Sequence, residues 1–157
     1  MKYVIEFIKT LFISPELCVS VVILTAILIL QPEWFDKLGT KIKSDQEVWK
    51  YLCIIPAGLF AWMLPHCYLV QLPHSDNKVL LEWPDYWKLK IRVAAAILLS
   101  FICTTIAIFV FVFAKEVYAN IAGFLMTFAI IVSLIDAYTI WQATITIRQI
   151  LEKNSKK

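Results

Sequence analysis

Glycine is scarce in this chain, at three residues in 157. So few leave no Gly-rich loop to cradle a phosphate, and neither a nucleophile elbow nor an HExxH helix occurs. The expectation is a protein that is not an enzyme and carries no cofactor. Charge is scarce too: Asp, Glu, Lys and Arg make up 17% of residues, and the net charge of +3 is small and scattered. That excludes the clustered basic face of a nucleic-acid binder. The four cysteines, Cys18, Cys53, Cys67 and Cys103, lie within or beside apolar runs and lack metal-ligand spacing. They read as small buried apolar residues, not as a disulfide framework or a metal site. The first apolar run, residues 17–30, ends at Gln31-Pro32-Glu33 without a small-x-small cleavage site, so it is expected to remain as an anchor.

Apolar side chains are abundant instead: 61% of the residues are hydrophobic and the mean hydropathy is +0.74. From Arg92 the chain meets no further charge until Lys115. At ~1.5 Å per residue, an uncharged helix of about 22 residues crosses the ~30 Å hydrocarbon core of a bilayer. The expected fold class is an all-α integral membrane protein with four transmembrane helices and short interfacial amphipathic helices. All of it forms one polytopic domain over residues 1–157. The spans fall at about 15–30, 48–72, 84–114 and 117–140, with a helical extension over 141–151.

Residues 3–13 place Val4, Ile8, Leu11 and Phe12 on one helical face, the pattern of a helix lying in the interface. Ser14-Pro15-Glu16 then starts helix 1, with an N-cap hydroxyl, proline at the first helical position and an acid at the positive end of the dipole. Between Pro32 and Lys50, Trp34, Phe35, Leu38 and Ile42 recur near helical spacing among Lys37, Lys41 and Lys43, which suggests a second interfacial helix. Gly39 weakens that helix by ~1 kcal/mol relative to alanine. Ser44 and Glu47 have capping-box spacing for the start of helix 2.

Helix 2 holds Pro56, Gly58 and Pro65, and interior prolines remove backbone hydrogen bonds, so it is expected to be kinked or interrupted. Trp83, Tyr86 and Trp87 beside Lys88, Lys90 and Arg92 mark a membrane interface, as do Trp34 and Trp141. Ten of the fifteen Lys and Arg residues fall on the side of the two termini, which predicts both termini in the cytoplasm.

Asp136 is the leading candidate for function, because a carboxylate in a transmembrane helix is costly. If helix 4 enters the core at Tyr118, Asp136 lies about 27 Å deeper, at the far interface, where an acid is unremarkable. A register shifted toward Ile140 buries it and favours protonation or pairing with His66 or a lysine. His66, after Pro65, is a second polar candidate, while His74 has no partner at ligand spacing. Two small-residue stripes, Ala96, Ser100 and Thr104 in helix 3 and Ala119, Gly123 and Thr127 in helix 4, are expected to pack helices closely within the subunit or in a homo-oligomer.

Together these features suggest a non-enzymatic, self-assembling sensor or effector of a bacterial inner membrane. It would act with a soluble cytoplasmic partner through the loop before helix 3 and the C-terminal tail. Small polytopic proteins of this build occur among membrane components of bacterial stress and anti-phage systems, and no motif in the chain carries that association. An oligomeric ion channel or small transporter and a passive membrane anchor are the alternatives.

Overall fold

The computed structural model describes residues 14–44, 46–71, 83–113 and 115–155, and among them it is all-helical. The helices are α1 (Pro15–Leu30), α2 (Trp34–Ser44), α3 (Gln46–Gln71), α4 (Tyr86–Val112) and α5 (Ala119–Ser155). The amphipathic segment expected over residues 3–13, the loop containing His74 and the last two lysines lie outside the described residues. Three helices are long and apolar enough to cross a membrane: α3 over Tyr51–Tyr68, α4 over Tyr86–Val112 and α5 over Ala119–Lys153. The pair α1 and α2 qualifies only as a bent unit, its halves meeting at 93°.

Local chemistry sets the boundaries of α1. The Ser14 hydroxyl accepts a hydrogen bond from the Leu17 amide at 3.1 Å, and Pro15 follows it. At the other end, Pro32 stops the helix and Gln31 donates its amide to Ile27. In the turn that follows, Glu33 pairs with Lys37 at 2.7 Å, and this lysine holds the exposed Glu33 carboxyl below its usual range.

Helix α2 is amphipathic, burying Phe35, Gly39 and Ile42 while Trp34, Lys37 and Lys41 stay exposed. Its buried side does not meet lipid. It packs on the start of α5, where a Cβ at Gly39 would overlap the carbonyl oxygen of Ala119 and one at Gly123 would overlap that of Phe35. Gly39 is therefore the residue that lets the two backbones touch, and the helix-propensity cost read from sequence is the lesser effect. Phe35 closes the joint edge-on against Phe124.

Ser44 is the last residue of α2 and donates its hydroxyl back to the Lys41 carbonyl at 3.0 Å, and α3 begins at Gln46; the Glu47 side chain, the other half of the expected capping box, lies outside the described residues. Helix α3 is not interrupted: it continues through Pro56 and Pro65 as one element, Pro56 being fully buried. The last span and the helical extension expected over 141–151 form one element, because α5 is a single helix to Ser155. At ~1.5 Å per residue, 37 residues reach about 55 Å, well beyond a ~30 Å core.

The core forms two clusters along the α4–α5 pair. One holds Ile42, Cys103, Ala107, Val110, Ala122, Met126, Ala129 and Val132. The other lies toward the start of α4 and includes Met63, Val70, Tyr86, Val93, Ile140 and Ile147. Tyr86, expected as a membrane-interface anchor, is 6% exposed and donates its hydroxyl to the Val70 carbonyl at 2.7 Å. It bolts the end of α3 to the start of α4. Tyr86→Phe is expected to cost about 1 kcal/mol by leaving that carbonyl unpaired, measured as a lower melting temperature in detergent.

Candidate intramembrane carboxylate site

Lipid gives no hydrophobic drive for helix association, so the α4–α5 seam closes on small residues. Ala96, Ser100, Cys103, Thr104 and Ala107 of α4 are buried, as are Ala122, Met126, Ala129, Ser133 and Asp136 of α5. The α4 stripe is thus used inside the subunit. The α5 stripe also packs within the subunit, with α2 as its neighbour at Gly123, and Thr127 donates its hydroxyl to the Gly123 carbonyl at 2.8 Å.

Asp136 is 0% exposed, and neither carboxylate oxygen has a hydrogen-bond partner among the described residues. It is about 25 Å along α5 from Ala119, close to the level that the Tyr118 register gave. At that level it is enclosed by protein and not solvated. It lines a void of about 10 Å³, the size of one water, whose other walls are Ser14, Glu16, Arg92, Ala95, Ala96 and Leu99.

The companions come from α1 and α4. Glu16, 4% exposed, accepts a hydrogen bond from the Thr139 hydroxyl at 2.9 Å and lies 3.8 Å from Nη2 of Arg92. The Arg92 side chain is 51% exposed, so the guanidinium bridges the buried acid and the surface. Ser20 donates to the Glu16 carbonyl at 2.7 Å and is itself buried. Among the residues that line the void, Arg92 is the one cation beside two carboxyl groups, and it pairs with Glu16. A buried charge is tolerated only when it is paired or neutralised. Thr139→Val is expected to remove about 1 kcal/mol of stability by withdrawing a donor from Glu16, seen as a lower melting temperature.

His66 stands apart from this cluster. Its Nδ1 lies 3.0 Å from the Trp62 carbonyl and its ring stacks on Trp62 at 4.4 Å. Pro65 is exposed on the same helix and Pro56 is buried, and neither lines the void. Trp34, Trp87 and Trp141 are exposed and Trp83 is half-buried. Trp141 stacks on Tyr138 at 5.9 Å. The four cysteines are unbonded; Cys53 donates its thiol to the Ala107 carbonyl at 3.0 Å.

Reasoning from sequence missed that Glu16 and Arg92 line the void beside Asp136 and that Thr139 holds Glu16 there. One signal was present: Glu16, Ser20 and Leu24 recur every four residues in an otherwise apolar helix, and all three are buried. A charged residue in such a helix faces the bundle interior. Comparison with protein-family models, curated proteins and solved structures gives no match. The functional reading therefore rests on the geometry of this site.

Proposed function

We propose that the chain is a non-enzymatic, four-span membrane protein that acts as a sensor or effector, its state set by a proton on Asp136. The observation that carries this reading is the fully buried Asp136 carboxylate without a hydrogen-bond partner, facing a water-sized void beside an already neutralised Glu16. A proton is the positive charge that suits a space this small, and Arg92 in the wall disfavours a metal cation there.

In this reading α1 is the fourth span and α2 rests across the end of the bundle. Both termini then share one side, the cytoplasmic one by the distribution of Lys and Arg. The exposed apolar side chains, among them Val22, Ile29, Leu30 and Phe101, face lipid. The end of α5 would offer exposed Arg148, Gln149 and Lys153 to a soluble partner.

The channel or carrier alternative has one observation in its favour. Ser100, Thr104 and Ser133 are buried hydroxyls without partners, and they continue from Asp136 along the seam. They reach about 12 Å beyond Ala96, and the rest of the seam is apolar, which favours the sensor. Reconstituted protein separates the two. A pH-dependent change in tryptophan fluorescence, absent in Asp136→Asn and without proton flux into dye-loaded vesicles, is the result expected. Flux that Asp136→Asn abolishes would instead make the protein a conductor, and wild-type fluorescence insensitive to pH would end the sensor reading.

A further inference from the structure

We infer that Asp136 exchanges its proton with one face of the membrane only, the face at which α1 and α4 begin and α3 ends, and that Arg92 is the lid on that route. The inference rests on the reading of Asp136 as a proton site and adds its sidedness.

The two directions out of the void differ in kind. Toward the α4–α5 turn, Asp136 is followed by about 25 Å of seam. There Val132, Ala129, Met126 and Ala122 of α5 face Cys103, Ala107 and Val110 of α4, all 0% exposed. Beyond that, α2 lies across the end with Phe35 and Ile42 buried beneath it. The unpartnered hydroxyls of Ser100, Thr104 and Ser133 stop within this stretch, and beyond them the described polar side chains, the Cys53 thiol and the Thr127 hydroxyl, are each spent on a backbone carbonyl. In the other direction, Arg92 is the exposed residue among those that line the void. Arg92 touches Glu16 inside and is half exposed outside.

The titratable and charged groups facing Asp136 are Glu16 from α1 and Arg92 with the Cys103 thiol from α4, and α3 gives no described residue to the wall of the void. Arg92 and Glu16 stand on the route. The guanidinium repels an incoming cation while the Glu16 carboxylate attracts it, so displacing Arg92 opens the path. Such a site reports the pH of one compartment and ignores the other, which is what a sensor requires and a translocator cannot use.

The test uses full-length protein in proteoliposomes sorted to one orientation by a C-terminal tag. Potassium and valinomycin clamp the potential, and a strong buffer holds the lumen while the outer pH is stepped. Proton exchange is read as the infrared carboxyl band that Asp136→Asn lacks. The band should respond to steps on the side of the C-terminus and stay constant for steps on the opposite side. Arg92→Ala should accelerate the response severalfold without changing its side. A response to the opposite side, or equally to both, overturns the sidedness and leaves the proton site intact. An unchanged or slower rate in Arg92→Ala overturns the lid. A band silent to both sides overturns the proton site itself.

Discussion

Gly123→Leu is expected to destabilise the protein by about 3 kcal/mol, with Gly39→Ala following in the same direction, because both positions meet backbone and not a movable side chain. A Cβ on either helix would overlap a carbonyl oxygen of the other, so relief requires α2 and α5 to separate. Separation in turn withdraws Phe35 and Ile42 from the end of the bundle, where they are 5% and 1% exposed. Gly58 supplies the control. Nothing lies within 4 Å of a Cβ built there, so Gly58→Ala should stabilise α3 by ~0.5–1 kcal/mol through helix propensity alone. Melting temperatures in detergent check both, and a drop of about 6–12 °C is expected for Gly123→Leu. A rise for Gly58→Ala with no change for Gly123→Leu would contradict the packing described.

Asp136→Leu is expected to stabilise the fold by about 1–3 kcal/mol while abolishing its response to pH. The carboxylate it removes is buried and unpartnered, so its desolvation is a cost that no contact recovers. Leucine has a similar reach and fills the adjoining void in part. A residue that makes the fold less stable than a simple apolar substitute has the thermodynamic profile of a functional group. Denaturation of Asp136→Leu across a pH series should show a stability that no longer carries the contribution of this carboxyl. Glu16→Gln gives the complementary result: the Thr139 contact can persist, but Arg92 loses its counter-charge and becomes free to meet Asp136, weakening the proton site without emptying it. Were Asp136→Leu to unfold the protein, the carboxylate would have to be a structural partner, contrary to its isolation in the bundle.

The parts of this architecture legible in the sequence were those fixed within a few residues. Ser14-Pro15-Glu16 and Pro32 bracket α1 as expected, because capping and proline sterics act locally. The amphipathic spacing of Trp34 to Ile42 likewise gave α2. Contacts between distant segments were not legible. Gly39 read as a weakness because the carbonyl of Ala119 that needs its missing Cβ is far along the chain. Glu16 read as an acid at a helix start, which it is, but its carboxylate answers to Thr139 and Arg92. Tyr86 had the composition of a lipid-interface anchor, and only the end of α3 reveals it as an internal bolt. For Asp136 the sequence left an interfacial and a buried position open, and only the packing of α1 and α4 against α5 encloses it in protein. Pro56 and Pro65 led to the expectation of a kinked or interrupted helix; α3 is not interrupted, since a helix packed on neighbours can continue where the lost backbone bonds alone would end it.

The central claim is that Asp136 carries an exchangeable proton inside the bundle, and infrared titration of the full chain in lipid tests it most directly. A carboxyl band that grows and fades reversibly with pH, is absent in Asp136→Asn and shifts its midpoint in Glu16→Gln is the expected result. A wild-type spectrum that matches Asp136→Asn at every pH would contradict the account.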